Sequence, residues 1–179
     1  MSNYRVYRKE QLQIFPEFND AENKQVESNF VEANNAYSVL ELFAGAGGLA
    51  IGMEQAGIKC MALNEIDKWA CQTLRVNRPN WDVLEGDIRN FDFSKYKKQV
   101  DIVTGGFPCQ AFSYAGKKLG LNDARGTLFY EFARVVQEVK PAICIGENVR
   151  GLLSHEKGKT LKGMISILDE IGYNVMPVQ

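Results

Sequence analysis

The sequence predicts an α/β fold, a mostly parallel sheet with helices on both faces. Short apolar runs alternate with helical periods from Tyr37 onward, as in strand–helix–strand units. A glycine-rich turn follows the first apolar run at 43–50, and an acidic residue, Glu65, follows the second. Because crossovers between parallel strands are right-handed, these observations favour a doubly wound sheet with its first five strands in the order 3-2-1-4-5.

The first half of this sheet can be assigned in order along the chain. We predict strands at 39–43, 58–63 and 81–84. A helix over 48–56 joins the first two strands and is closed by Gly57. A second helix begins after an N-cap at Asp67 and ends near Asn77, before Pro79.

The second half repeats the alternation. We predict strands at 100–104, 142–145 and 174–178, with helices at 128–139 and 161–171 between them. Pro141 ends the first of these helices and Gly172 caps the second. In the 3-2-1-4-5 order, the loops after strands one, four and five meet at one carboxyl edge, where we expect the functional site.

Residues 1–36 differ from the rest of the chain because they are polar and lack this alternation. We expect them to be an irregular N-terminal extension, packed on or tethered to a domain at 37–179. A short amphipathic helix is predicted within it, between Ala21 and Val31.

Composition excludes several classes of protein. The chain has 179 residues, 45% hydrophobic and 24% charged, which fits one globular domain with an extension and excludes wholesale disorder. The 21 Lys and Arg balance 22 Asp and Glu, so most of any surface that grips phosphates is expected to come from elsewhere. Neither a membrane-length apolar run nor a secretory signal is visible, which predicts a soluble cytoplasmic protein.

The four cysteines show no CxxC pairing, and the chain has a single histidine. We therefore expect neither a zinc site nor a disulfide framework. Cys60, Cys71 and Cys144 lie in predicted strands or on a helix, which indicates packing roles. Cys109 instead follows Gly-Gly-Phe-Pro just beyond the fourth strand, a poor position for a core residue.

The residues at the predicted edge indicate an adenosine-containing cofactor and group transfer. The glycine-rich turn and Glu65, 20 residues after Gly45, are typical of a site that binds a cofactor containing a ribose. Gly45, Gly47 and Ala50 also satisfy the dinucleotide pattern G-x-G-x-x-A, so NAD stays an alternative at this point. Cys109 and Glu147 end neighbouring strands, and a thiol beside a carboxyl group favours covalent catalysis. A non-catalytic domain that only binds a nucleotide or a partner is the third alternative.

Three stretches together resemble the motifs of DNA cytosine-5 methyltransferases. They are the glycine-rich loop Phe43-Ala44-Gly45-Ala46-Gly47-Gly48, then Gly106-Phe107-Pro108-Cys109-Gln110, then Glu147-Asn148-Val149, in that family's order and spacing. The segments Asn64-Glu65-Ile66-Asp67, Gly86-Asp87-Ile88 and Arg125-Gly126-Thr127-Leu128-Phe129 support the resemblance, which covers Ser38 to the C-terminus. It implies a Rossmann-like S-adenosylmethionine-dependent methyltransferase fold, truncated at the C-terminus.

The resemblance implies transfer of a methyl group from S-adenosylmethionine to C5 of a cytosine flipped out of duplex DNA. By that resemblance Cys109 adds to C6 of the ring, while Glu147 hydrogen-bonds or protonates N3. The remaining implied site residues bind the cofactor: Phe43, Gly45, Ala46, Gly47 and Gly48 at its methionine side, Glu65 at the ribose, Asp87 at the adenine amino group, Ile66 and Ile88 at the adenine faces, and Gly106, Pro108 and Leu128 closing the pocket.

The resemblance also sets expectations about the whole enzyme. It implies a bacterial restriction–modification enzyme that is a monomer at full length, uses neither metal nor membrane, and acts in the cytoplasm at the nucleoid. Segment 110–126 resembles the mobile loop that closes over the flipped base. The chain stops at Gln179, before the target-recognition region, so we expect a fragment, or alternatively a split-enzyme subunit, that folds but does not methylate DNA alone.

Overall fold

The computed structural model describes residues 2–8, 37–108 and 127–178. Within these ranges seven strands form one sheet, and four α-helices pack on it. The strands are β1 (Ser2–Arg8), β2 (Ser38–Leu42), β3 (Lys59–Glu65), β4 (Val83–Glu85), β5 (Ile102–Gly105), β6 (Ile143–Asn148) and β7 (Tyr173–Val178). The helices are α1 (Gly48–Gln55), α2 (Lys68–Asn77), α3 (Leu128–Val139) and α4 (Lys159–Glu170).

The sheet has the strand order β4-β3-β2-β5-β6-β1-β7. Strands β4, β3, β2, β5 and β6 are parallel to one another and correspond to the predicted order 3-2-1-4-5. The doubly wound α/β fold is thereby confirmed. The order reverses between β2 and β5, and this is the position at which such sheets bind ligands.

The N-terminal strand β1 was not predicted. It runs antiparallel to both neighbours, with Ser2 opposite Asn148 of β6 and Arg8 opposite Tyr173 of β7. The irregular conformation expected for residues 1–36 is therefore wrong for Ser2–Arg8. A strand that is paired on both sides gains its hydrogen bonds from distant parts of the chain, and no local pattern reports them. The helix predicted between Ala21 and Val31 lies outside the described residues, and the division at residue 36 stays a prediction.

Side-chain caps fix where two of the helices begin. Asp67 accepts hydrogen bonds from the backbone N–H groups of Trp69 and Ala70 at 2.9 and 2.8 Å, which confirms the predicted N-cap of α2. Thr127 accepts from the N–H of Tyr130 at 3.1 Å at the start of α3. These two caps fix the first residues of the helix that follows β3 and of the helix that precedes β6.

Two apolar clusters hold the layers together. The larger joins β2 and β5 to α3 and α4 and contains the fully buried Leu40, Val103 and Phe132. The smaller lies under α1 and α2 and is built on Ala44, Ala50, Leu63 and Leu74, with Cys60, Trp81 and Val83 packed against it. No helix in the described ranges is long and apolar enough to cross a membrane.

The three cysteines expected to pack in the interior do so to different degrees. Cys71 and Cys144 are fully buried, and Cys60 is half-buried. Burial raises the pKa of the Cys144 thiol, and it raises the pKa of Cys60 to about 12 with help from the charges of Glu41 and Glu54. A thiol with a raised pKa stays protonated and is a poor nucleophile, as a packing role requires.

Candidate active site

Three loops lie side by side at the carboxyl edge of the sheet. Leu42, Gly105 and Gly146 form one row across β2, β5 and β6, because Leu42 pairs with Gly105 and Gly105 pairs with Gly146. After this row Phe43 and Gly106 leave the sheet, whereas Glu147 is still part of β6, one residue before the strand ends at Asn148. Neighbouring strands are ~4.8 Å apart, so the three loops span about 10 Å. Cys109, together with the predicted loop at 110–126, lies outside the described residues.

The glycine-rich loop after β2 turns sharply and leaves space in front of α1. Phe43, Gly45 and Gly47 have φ values of 57°, 55° and 87°, in the left-handed region that glycine tolerates best. A β-carbon built on Gly45 or on Gly48 would meet no atom within 4 Å. The backbone at the N-terminus of α1 is therefore open to a ligand, and Ala46 is exposed beside it.

Glu65 connects the glycine-rich loop to the end of β3. Its Oε2 accepts a hydrogen bond from the N–H of Gly45 at 2.7 Å, and its Oε1 accepts from the N–H groups of Ile66 and Asp67 at 2.8 Å. A carboxylate offers about four acceptor positions. One position is left for a hydroxyl donor, so Glu65 can hold the loop and still bind a ribose.

Asp87 is positioned by a buried amide from the neighbouring strand. Asn64, 2% exposed, donates from Nδ2 to the carbonyls of Leu84 and Gly86 at 3.0 and 3.1 Å. Asp87 follows directly and accepts from the N–H and the guanidinium of Arg89. These hydrogen bonds lower the pKa of Asp87 to about 2, so the carboxylate is an acceptor at neutral pH.

The two isoleucines expected at the adenine differ in exposure. Ile66 is 66% exposed and stands free at the edge of the site, whereas Ile88 is 3% exposed and belongs to the larger core cluster. Ile66 therefore has the larger area available to a ligand. Ile88 anchors the turn that carries Asp87.

Arg134 of α3 holds the segment that follows Asp87. Its guanidinium donates to the carbonyls of Ile88 and Phe91 at 3.0 and 3.4 Å, and it forms ion pairs with Glu131 and Glu138 at 2.7 Å. Glu138 in turn accepts from the N–H of Phe93 at 3.1 Å. The segment that follows Asp87 is thus fixed to helix α3.

We expect Arg134→Met to destabilise the fold by about 2 kcal/mol, because it removes charge-assisted bonds and leaves the nearly buried Glu131 without its cation. Arg75→Met is the matched control, since Arg75 pairs with Glu85 at the surface and should cost less than ~1 kcal/mol. Urea unfolding of both variants measures the difference. Equal losses of unfolding free energy in the two variants would show that the Arg134 network contributes no more to stability than a surface ion pair does.

The end of β6 is fastened to the loop that leads to Cys109. Asn148, 4% exposed, donates from Nδ2 to the carbonyl of Phe107 at 2.7 Å, and its Oδ1 accepts from the N–H of Val149. A β-carbon on Gly106 would lie 3.3 Å from Oε2 of Glu147, so only glycine lets the carboxylate come this close without a shift. Glu147 thus lies against the residues that immediately precede Cys109.

Aromatic packing supports this loop from below. The Phe107 ring lies 5.2 Å from Phe129 and 5.3 Å from Phe132, and it packs against Gly146. The apolar cavity beneath them measures about 30 Å³, far below the ~300–1,000 Å³ of ligand pockets, so it is a packing gap. Pro108 is exposed above this cluster, and Leu128 at the start of α3 is half-buried.

Glu41 is a buried acid beneath the glycine-rich loop that sequence reasoning missed. It is 3% exposed on β2 and accepts a hydrogen bond from the N–H of Ala50 in α1. Its Oε2 and the Oγ1 of Thr104, its register neighbour on β5, have no hydrogen-bond partner among the described residues. Burial raises the pKa of Glu41 to about 8.

The donor set of the edge fits an S-adenosylmethionine cofactor. The backbone at Gly45 and Gly48 is open at the N-terminus of α1, Glu65 ends β3, and Asp87 follows the adjacent strand β4. Carboxylates of this kind accept hydrogen bonds from ribose hydroxyls and from an adenine amino group. Within the described residues, no cluster of side chains suited to hold a metal ion is found.

Comparison with solved structures gives the class of protein. The crystal structure of DNMT2 from Spodoptera frugiperda superposes with a TM-score of 0.58 at 26% identity, covering 76% of this chain and 41% of that chain. The fold is that of a Rossmann-like, S-adenosylmethionine-dependent methyltransferase domain.

The family follows from sequence comparison. The family model described as C-5 cytosine-specific DNA methylase matches residues 37–178, and the chain belongs to this family. Type II methyltransferase M.Eco47II of Escherichia coli is 54% identical over 174 residues, and M.PspPI of Psychrobacter sp. (strain TA137) is 53% identical over 171. These matches cover 97% and 95% of this chain but only 42% and 41% of the relatives.

Proposed function

We propose that this chain is the cofactor-binding and nucleophile-bearing part of an enzyme that methylates C5 of cytosine in duplex DNA. The observation that carries the proposal is the contact at the carboxyl edge, where Glu147 lies against Gly106 and Asn148 bonds to Phe107. A carboxyl group is thereby held beside Gly106, in the segment that precedes Cys109 in the chain. The relatives named as Type II methyltransferases support a bacterial restriction–modification role. The proposal further includes a reaction in the cytoplasm, at the nucleoid, by a full-length enzyme that is a monomer.

The cofactor proposal assigns a role to each element of the edge. The glycine-rich loop, with Phe43, Gly45, Ala46, Gly47 and Gly48, would line the methionine side. Glu65 would accept from the ribose hydroxyls and Asp87 from the adenine amino group, with Ile66 and Ile88 beside the ring. Gly106, Pro108 and Leu128 would close the pocket. S-adenosylmethionine, when bound, supplies an electrophilic methyl group.

The chain's own residues then act on the cytosine. The thiolate of Cys109 forms a bond to C6, which breaks the conjugation of the ring and makes C5 nucleophilic. Glu147 holds a proton at N3, so that negative charge does not accumulate on the ring as the bond forms. After C5 is methylated, a base removes the C5 proton and the C6–S bond breaks, which restores the aromatic ring and the thiolate. The base must be flipped out, because neither face of a stacked cytosine is accessible.

The cofactor assignment is tested by isothermal titration of the chain with S-adenosylhomocysteine and with NAD. We expect binding of S-adenosylhomocysteine that Glu65→Gln weakens, because the amide replaces one acceptor oxygen with a donor. NAD should give no heat. Binding of NAD in preference to S-adenosylhomocysteine would favour the alternative of a dinucleotide enzyme.

Methyl transfer is tested with tritium-labelled S-adenosylmethionine and cytosine-rich duplex DNA. We expect no turnover by the 179-residue chain alone, because a free thiol with a pKa near ~8.5 is mostly protonated without a nearby cation. Turnover should appear when the remaining polypeptide is supplied in trans, and Cys109→Ser should abolish it. Activity of the chain alone that Cys109→Ser abolishes would refute the expected inactivity and support the nucleophile. Activity that persists in Cys109→Ser would refute the mechanism.

A further inference from the structure

Two side chains fill the space directly behind Gly47 of the glycine-rich loop. A β-carbon on Gly47 would lie 2.5 Å from Cδ2 of Leu74 and 3.2 Å from Cζ3 of Trp81, with Cη2 of the same ring at 3.8 Å. Gly47 has φ 87° and is the N-cap of α1, where no side chain makes a capping hydrogen bond. The turn that starts α1 is therefore shaped by contact with Leu74 and Trp81.

The indole of Trp81 is itself held from two sides. Its inner side packs on the smaller apolar cluster, defined above by Ala44, Ala50, Leu63 and Leu74. The guanidinium of Arg78 lies 5.7 Å from the centre of the ring, and its Nε donates to Oε2 of Glu54 in α1 at 2.7 Å. The ring is thus fixed relative to both ends of α1, at Gly47 and at Glu54.

We infer that Trp81 is a positioning residue for the glycine-rich loop and acts through Gly47 without touching the ligand. The inference rests on the proposed function, in which open backbone at Gly45 and Gly48 receives the cofactor. If the six-membered ring of the indole is removed, Gly47 loses its support and the N–H groups at the start of α1 lose their fixed direction. Cofactor affinity should then fall by more than the loss of stability explains, because misplacement of binding groups is costly.

Trp81→Phe tests this inference, since phenylalanine keeps an aromatic ring in the cluster but lacks the atoms that reach Gly47. Val83→Ala is the matched control, because Val83 packs on the same cluster and contributes none of the three atoms nearest to a β-carbon on Gly47. S-adenosylhomocysteine is titrated into each protein while the amide chemical shifts of residues 45–48 are followed. We expect it to bind Trp81→Phe about tenfold more weakly than the wild-type chain. Val83→Ala should lower the Tm by about as much as Trp81→Phe does, and it should leave the Kd for S-adenosylhomocysteine unchanged.

Amide hydrogen exchange supplies a second readout that needs no ligand. The N–H groups of Gly47 and Ile51 donate to the carbonyls of Ala44 and Gly47, and their exchange should be faster in Trp81→Phe than in Val83→Ala at equal global stability. Unchanged affinity in Trp81→Phe, or an equal loss in Val83→Ala, would overturn the inference. If the wild-type chain itself does not bind S-adenosylhomocysteine, the proposed function fails, and amide exchange alone tests the positioning role of Trp81. Faster exchange confined to Trp81→Phe then supports that role, and equal exchange in the two variants refutes it.

Discussion

Replacing Glu147 with glutamine is expected to slow methyl transfer by about 10²–10⁴-fold, the usual contribution of a positioned acid. An amide can donate a hydrogen bond toward N3, but it has no proton to share with the ring as the Cys109–C6 bond forms. Affinity for S-adenosylhomocysteine should stay unchanged, because β6 is separated from β2 by β5. Single-turnover transfer of labelled methyl groups, with the remaining polypeptide supplied in trans, measures the rate.

Glu156→Gln is the matched control for this experiment. Glu156 lies on an exposed turn past the end of β6, and the substitution makes the same chemical change. It should leave the transfer rate within about twofold of the wild-type value, as surface substitutions usually do. A Glu147→Gln enzyme that transfers methyl groups at the control rate would exclude Glu147 as the acid.

The sequence predicted the topology of the sheet because local signals marked almost every boundary. Asp67 predicted the start of α2 as its N-cap, and Pro141 predicted the boundary between α3 and β6. The strand β1 lacked such a signal, although Tyr4, Val6 and Tyr7 are residues that favour strands. Its position between β6 and β7 depends on two distant partners, so only the folded sheet identifies it.

The candidate site could be placed at one edge from the order of strands, but its supporting contacts could not be predicted. Asn64 and Asn148 are buried amides that fasten neighbouring loops, and their partners are backbone carbonyls. Every residue has a backbone carbonyl, so the sequence does not show which one accepts the hydrogen bond. An asparagine at a strand end therefore cannot be told from any other polar residue there. The support of Gly47 by Trp81 was hidden for a related reason, because the two are 34 positions apart and meet only through packing.

Glu41→Gln is expected to make the protein more stable at alkaline pH. The pKa of Glu41 rises from its ordinary 4.5 to about 8, chiefly because burial disfavours the charged form. The folded state therefore binds a proton that the unfolded chain has released between these pH values, and stability falls as pH rises through this window. At ~1.4 kcal/mol per pKa unit, the free energy of unfolding falls by roughly 5 kcal/mol in total. The loss is absent below pH 4.5 and complete above pH 8.

Glutamine at this position is neutral at every pH, so it removes the effect while preserving an acceptor for the N–H of Ala50. Urea unfolding from pH 4 to pH 9 should give nearly equal stabilities for the two proteins at pH 4 and a growing advantage for Glu41→Gln above pH 5. Burial raises the pKa of Cys60, the nearby thiol, to about 12, so it stays protonated in the folded state of the wild-type protein across this range. Thr104→Val is the control, because it removes the neighbouring hydroxyl, which has no partner among the described residues, and should raise stability by ~1 kcal/mol at all pH values. Parallel pH curves for the wild-type protein and Glu41→Gln would show that Glu41 is already ionised in the folded state at pH 5.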